Sequence, residues 1–230
     1  MKTKPDVLVL HGGGGPASVA RVVEALSTVA NVSAPIHPGF MHTPQTVTTV
    51  AALADHYAAG LAEDTLVIGF SMGGWIGAEL ALRTRIRGLV LVNAVGIDVP
   101  SEPIADVASL TPLQLSALSM HDPVKFAIDP TKLAPEQLAA MQSNRAAMAV
   151  YGKAGMTDPT LAPRLVSVEV PVLVVWGESD RVSTPAYGRA FAAAFPRGRF
   201  ELIAGAGHMP QLEQPSALLA AIKKFDDRLS

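Results

Sequence analysis

The run Gly69-Phe70-Ser71-Met72-Gly73 sets a serine between two glycines, each one residue removed. It directly follows the apolar stretch Thr65-Leu66-Val67-Ile68 and leads into a helix-like segment beginning near Gly73-Gly74. A sharp strand-to-helix turn lifts such a side chain above a sheet edge, and the glycines relieve the crowding this causes. The helix N-terminus then aims free N–H groups and a positive dipole end at a reacting carbon. Ser71 is the candidate nucleophile. Its proton needs a base, and six histidines compete for that role. His208 lies in Ala204-Gly205-Ala206-Gly207-His208-Met209-Pro210, a glycine-rich loop between the last apolar run and the final helix-like segment. An imidazole base needs a carboxylate to fix its tautomer and stabilise its charged form. Asp180, in Trp176-Gly177-Glu178-Ser179-Asp180-Arg181-Val182, sits just past the fifth apolar run. Glu178 is its local competitor and Asp98 the distant one. The order Ser71, Asp180, His208 is the one expected when a serine elbow precedes its acid and base.

Carbonyl chemistry at Ser71 would also need donors for a developing oxyanion. One is the N–H of Met72, just after the nucleophile; the other is the N–H of Gly13 or Gly14 in His11-Gly12-Gly13-Gly14-Gly15-Pro16. The same loop fits a dinucleotide fingerprint, Gly12-x-Gly14-x-x-Ala17, but the next run ends Ile36-His37-Pro38 without the acid that would bind a ribose. No Gly-Lys-Ser/Thr follows, so a phosphate loop fails as well. His11 is expected to order the glycine loop. His37 and His42 are read as loop-packing or surface residues near the pocket, and His56 and His121 receive no role.

These residues need a frame that gathers them at one edge. Apolar runs recur at Val7–Leu10, Val32–Ile36, Thr65–Phe70, Leu89–Asn93, Pro171–Trp176 and Phe200–Ile203. Runs apolar at nearly every position suit strands buried on both faces of a parallel sheet. Helix-like segments alternate with them: Ser18–Ala30, Thr46–Ala59, Gly73–Arg83, Pro185–Phe195 and Pro215–Leu229. The pattern predicts an α/β fold, a doubly wound, mostly parallel sheet of about six strands flanked by helices, with ligands at the carboxyl ends of the strands. From Gly96 to Val168 no strand is evident, only helix-like pieces broken by proline. A structureless loop of that length is improbable in a compact domain. Residues 98–163 are therefore read as a helical lid inserted between the fourth and fifth strands, and residues 1–97 and 164–230 as the core. Met120, Met141, Met148 and Met156 would serve lid packing or line an adaptable pocket. Asn144 and Arg145 are read as solvated helix residues, with a substrate carboxylate as the alternative partner.

The 230 residues are 49% hydrophobic and 17% charged, with a formal net charge of −2 and no cysteine. That composition supports a large core and removes disulfides and thiolate chemistry. No basic cluster points to nucleic acid or an anionic membrane surface. The start, Met1-Lys2-Thr3-Lys4-Pro5, leads into an apolar run too short for a secretory signal, and no span of about 18 apolar residues occurs. The expectation is a cytoplasmic protein with a small-molecule substrate, no metal and no cofactor; its oligomeric state is open.

Taken together, His11-Gly12-Gly13, Pro38-Gly39-Phe40, Gly69-Phe70-Ser71-Met72-Gly73-Gly74, Pro171 to Asp180, Gly205-Ala206-Gly207-His208-Met209-Pro210 and Glu213-Gln214-Pro215 make the sequence resemble the α/β-hydrolase fold superfamily. The resemblance covers nearly the whole chain and is closest to the branch of lidded esterases, haloperoxidase-like enzymes and carbon–carbon-bond hydrolases. It implies an acyl-enzyme mechanism in which Ser71 attacks a carbonyl, His208 shuttles the proton and water releases the acid. The substrates implied are small or medium, largely apolar carboxylic esters, with thioesters, lactones and vinylogous diketones open on the same machinery. A lyase, perhydrolase or cofactor-free oxygenase would reuse the same frame, and a non-catalytic ligand-binding protein would keep only the fold. Two departures stand out. The family often has two further strands ahead of the glycine loop, and its usual His-Gly-x-Pro is replaced here by a richer glycine run. Serine at position 71 sets the chain apart from the haloalkane-dehalogenase branch, which uses aspartate there.

Overall fold

The computed structural model describes residues 4–107, 109–126, 129–153 and 155–229. Met1, Lys2 and Thr3, which open the sequence, lie outside the described residues. The chain runs β1 (Asp6–Leu10), α1 (Ala20–Ser27), β2 (Asn31–Ser33), α2 (Val50–Ala58), β3 (Leu66–Phe70), α3 (Met72–Ala81), β4 (Gly88–Val92) and β5 (Gly96–Ile97). It continues through α4 (Pro112–Ser119), α5 (Pro123–Phe126), α6 (Pro135–Tyr151), β6 (Thr157–Asp158) and α7 (Leu161–Leu165). The closing elements are β7 (Val172–Gly177), α8 (Pro185–Ala193), β8 (Gly198–Ile203), α9 (Pro210–Glu213) and α10 (Pro215–Asp226).

Six strands form one sheet in the order β2-β1-β3-β4-β7-β8, and every pairing in it is parallel. All residues of β3, β4 and β7 are buried, as expected for central strands with helices on both faces. One face packs on α2, α3 and α8 through residues such as Leu53, Ile76 and Phe191; the other packs on α1 and α10 through Val22, Leu218 and Phe225. Proline opens α4, α6, α8 and α10, where its missing N–H costs nothing. Thr111 and Gln114 close a reciprocal cap on α4.

The order places β1 and β3 side by side, with their following segments leaving in opposite directions along the sheet. This switch point opens a crevice at the strands' carboxyl ends. Leu10 pairs with Gly69, so the glycine loop after β1 starts beside the turn that carries Ser71.

One sequence expectation is corrected between Gly96 and Val168. Two short strands exist there: Gly96 pairs with Thr157 and Ile97 with Asp158 in a parallel ladder separate from the main sheet. Two-residue strands carry no periodicity, which hides them from pattern reading. Gly96 has φ 131° and lies against the Trp75 ring, where a β-carbon would approach to 2.6 Å. Trp75 is accordingly a packing residue of α3. The return from the ladder is fixed by Arg164, which donates to Glu79 of α3 (2.6 Å) and to Asp158 (3.0 Å). Glu79 is 2% exposed, and Arg83 is its second cationic partner. Two arginines compensate the desolvation of that one carboxylate. No helix among the described residues is long and apolar enough to cross a membrane.

Candidate active site

Ser71 stands between β3 and α3 with φ 52° and ψ −117°, a conformation that non-glycine residues rarely hold. The surroundings fix it. Its N–H donates to Val92 O (2.9 Å), and its carbonyl accepts from Gly74 N (2.9 Å) and Val95 N (3.3 Å). The turn closes only because Gly69 and Gly73 lack side chains. A β-carbon on Gly69 would lie 2.2 Å from Gly73 O, and one on Gly73 would lie 2.1 Å from Leu10 O.

His208 and Asp180 arrive from the loops after β8 and β7. His208 Nε2 is 3.1 Å from Ser71 Oγ, and Nδ1 is 2.8 Å from Asp180 Oδ2. Nδ1–H donates to the carboxylate, so the Nε2 lone pair faces the serine hydroxyl. Asp180 is 2% exposed, and among the described residues its carboxylate is met by donors. Oδ1 accepts from the N–H groups of Val182 (2.8 Å) and Ser183 (3.2 Å). Oδ2 also accepts from Asn93 Nδ2 (2.7 Å) and Ser183 Oγ (3.3 Å). The competitors lie elsewhere: Glu178 is exposed and accepts from Gly205 N–H (3.3 Å), and Asp98 is exposed beyond β5.

Asn93 is the residue that sequence reading missed. It is fully buried at the end of β4 with φ 45°, and its Oδ1 accepts from Gly177 N–H (3.2 Å) while its Nδ2 reaches Asp180. Its only sequence signal is a polar residue closing an apolar run, a conformation in which asparagine is among the few tolerated side chains.

The glycine loop turns through Gly13 and Gly14, closed by Gly15 N–H to Gly12 O (3.0 Å). Gly12 abuts the serine directly, since a β-carbon there would come within 2.9 Å of Ser71 Cβ. The N–H groups of Gly13, Gly14 and Met72 have no acceptor among the described residues. His11 orders the loop from beneath: its Nδ1–H donates to Gly12 O (2.8 Å) and its Nε2 accepts from His37 N–H (3.3 Å). His37 in turn donates through Nε2 to His11 O (3.0 Å) and accepts at Nδ1 from Tyr57 O–H (2.7 Å). These partners require neutral rings in defined tautomers. Burial lowers the His11 pKa to about 4 and, with His11 beside it, holds His37 well below the ordinary histidine range. His37 is thus a core residue under the loop. His42, His56 and His121 are exposed, His121 Nδ1 lying 2.7 Å from Ser179 Oγ.

The segment between β5 and β6 meets the site at two places. At the end of α4, Leu118 O accepts from Arg181 N–H (3.1 Å) and Ser119 O from His208 N–H (2.6 Å). On α6, Asn144 is buried, not solvated as its sequence suggests. Its Oδ1 accepts from Met41 N–H (3.1 Å) and its Nδ2 reaches Gly14 O at 3.5 Å. Ser143 Oγ accepts from His42 N–H (2.8 Å) beside it, so the pair satisfies a left-handed turn at Met41 and His42. Met148 lies over Gly13, where a β-carbon would come within 3.2 Å of its side chain. Met120 is buried, Met141, Met148 and Met156 are half-buried, and Arg145 is exposed. Two open surface grooves, about 550 Å³ beside Arg83 and Arg164 and about 590 Å³ beside His56 and Tyr57, touch none of Ser71, Asp180 and His208. Chemistry, not groove size, marks the site. Among the described residues no cluster of three His, Asp or Glu side chains is arranged for a metal ion.

Residues 7–222 match the model of the alpha/beta hydrolase family. The pimeloyl-[acyl-carrier protein] methyl ester esterase of Aromatoleum aromaticum is 26% identical over 92% of this chain and 94% of its own. The epoxide hydrolase EphH of Mycobacterium tuberculosis is 25% identical over 76% of this chain and 94% of its own. Among solved structures, a thermophilic esterase from Thermogutta terrifontis superposes with a TM-score of 0.77 at 25% identity, covering 100% of this chain and 92% of that one. A meta-cleavage product hydrolase from Pseudomonas fluorescens IP01 superposes with a TM-score of 0.81 at 19% identity, covering 100% and 93%, a likeness of fold alone.

Proposed function

Because the chain belongs to the alpha/beta hydrolase family, we propose that it is a serine hydrolase cleaving small or medium, largely apolar carboxylic esters through an acyl-enzyme. The observation that carries this reading is the continuous relay Ser71 Oγ, His208 Nε2, His208 Nδ1, Asp180 Oδ2, with links of 3.1 and 2.8 Å. Ser71 Oγ gives its proton to His208 and bonds to the ester carbonyl carbon. The oxyanion takes hydrogen bonds from Met72 N–H and from the N–H of Gly13 or Gly14, which have no competing acceptor among the described residues. The imidazolium, held against Asp180, then protonates the departing alkoxide. Water gives a proton to His208, attacks the acyl carbon and releases the carboxylic acid, restoring Ser71. These steps balance without a cofactor.

Residues 98–163 act in this scheme as the lid, with Met148 over the glycine loop forming part of the acyl wall. The esterase relatives support carboxylic esters as the substrate class. The epoxide-hydrolase relative does not redirect the reading, since a serine that opened an epoxide would be left as an ether that water does not release. A panel of nitrophenyl esters of increasing acyl length tests the proposal, with Ser71→Ala and His208→Ala as controls. Turnover in the wild type and its loss in both variants is expected. Turnover that survives Ser71→Ala would overturn the serine mechanism.

A further inference from the structure

Beyond the triad, one carboxylate grips the loop that carries the base. Glu213 closes α9, and its Oε2 accepts from the N–H of Gly207 (2.6 Å), the residue immediately before His208. Its Oε1 accepts from two further backbone N–H groups, those of His121 (2.8 Å) and Asp122 (3.0 Å), in the turn just after α4. Bonds from N–H groups to an ionised carboxylate are stronger and more directional than neutral ones. We propose that Glu213 is a positioning residue for His208, fixing the imidazole over Ser71 by tying its loop to the segment after α4. The proposal rests on the serine-hydrolase reading above.

The loop needs such a tie. Residues 204–209 belong to neither helix nor strand, and Gly205 has φ 66°. Among the described residues, four contacts hold its backbone near the base: Ala206 O accepts from Ser179 N–H (2.8 Å), Gly207 O from Asn93 Nδ2 (3.4 Å), Gly207 N–H donates to Glu213, and His208 N–H donates to Ser119 O (2.6 Å). Two of these lead to the α4 region, one directly through Ser119 and one through Glu213. The fit is close, since a β-carbon on Gly207 would lie 2.3 Å from Ser119 O. Without the carboxylate, Gly207 N–H and the two N–H groups after α4 lose their shared acceptor, and among the described residues the Ser119 tie is what remains between the His208 backbone and the α4 side. Displacing a catalytic group by about 1 Å costs on the order of a hundredfold in rate.

The test compares Glu213→Gln and Glu213→Ala with the wild type in ester turnover and in the rate of Ser71 phosphonylation by a small fluorophosphonate. The second rate reports the serine–imidazole pair without dependence on the ester chosen. Both are measured below each variant's Tm. A fall of about tenfold to a hundredfold in kcat and phosphonylation together, with KM unchanged within about twofold, is expected for Glu213→Ala. Glu213→Gln keeps one carbonyl acceptor and should fall less; being nearly isosteric, it carries the test alone if the alanine variant does not fold. A KM rise or Tm loss with wild-type kcat and phosphonylation would mean that Glu213 only anchors the segment after α4, and would overturn the proposal. Ser71→Ala separates the two claims. Turnover that survives Ser71→Ala removes the serine reading itself. Loss of turnover in Ser71→Ala with wild-type rates in the Glu213 variants removes the Glu213 role alone.

Discussion

Acidification should destabilise this fold through the histidine pair beneath the glycine loop. His11 is 1% exposed, and burial lowers its pKa from 6.5 to about 4. The folded state therefore prefers the neutral ring, while the unfolded chain takes up a proton as the pH falls through about 6.5. Stability is unaffected by this group above that value and declines as the pH drops toward about 4, below which both states are protonated. At pH 5 the unfolded ring is almost fully protonated and the folded ring carries only about a tenth of a proton. Integrating between pH 7.5 and 5.0 gives a loss of about 2 kcal/mol from His11 alone. His37 shifts in the same direction and adds to the loss. Urea unfolding at constant ionic strength, from pH 7.5 to 5.0, measures the total. Comparison with His11→Gln isolates the His11 share, because carboxylates that titrate in both proteins cancel. The variant should be less stable at pH 7.5, having lost ring packing against Phe40, yet should lose about 2 kcal/mol less on acidification. Equal losses in the two proteins would refute the linkage.

Asp180→Asn should leave the fold intact and lower kcat by about ten-thousandfold through the wrong imidazole tautomer, whereas Glu178→Gln and Asp98→Asn should keep near-normal kcat in the same ester assay. Asn93→Ala removes a donor from buried Asp180 and leaves a β-carbon at φ 45°, so urea unfolding should show a loss of about 2–4 kcal/mol. Asn93→Gly should regain part of that stability without regaining turnover. Met148→Ala opens space over Gly13, and the ratio of kcat/KM for octanoyl over butyryl nitrophenyl esters should rise by about tenfold.

Much of the frame was legible in the sequence because central parallel strands must be apolar at successive positions. Val67, Val90 and Val174 are buried within such runs, and all lie in the central sheet. Ser71 could be read because its motif constrains the backbone: glycines at 69 and 73 are required by contacts within the same turn and with Leu10. The joining of Asp180 to His208 followed from the ends of two strands that pair with each other. What escaped depends on contacts between residues remote in sequence that have no periodicity of their own. Asn144 reaches Met41 and Gly14 across more than a hundred residues, and nothing in its helix marks it as buried. Asn93 is a single polar residue at a strand end. The ladder of Gly96–Ile97 with Thr157–Asp158 is too short for any pattern. For His37 the sequence left loop packing and surface open; the structure buries it in the loop after β2, and the partners that decide this, His11 and Tyr57, come from separate elements.

The central claim is that Ser71 is a nucleophile activated by His208, and intact-mass analysis with peptide mapping after fluorophosphonate treatment tests it most directly. One phosphonyl adduct per chain, mapped to the peptide containing Ser71, absent from Ser71→Ala and formed far more slowly in His208→Ala, is the predicted result. Folded wild-type protein that takes up no adduct, or an adduct that persists in Ser71→Ala, would contradict it.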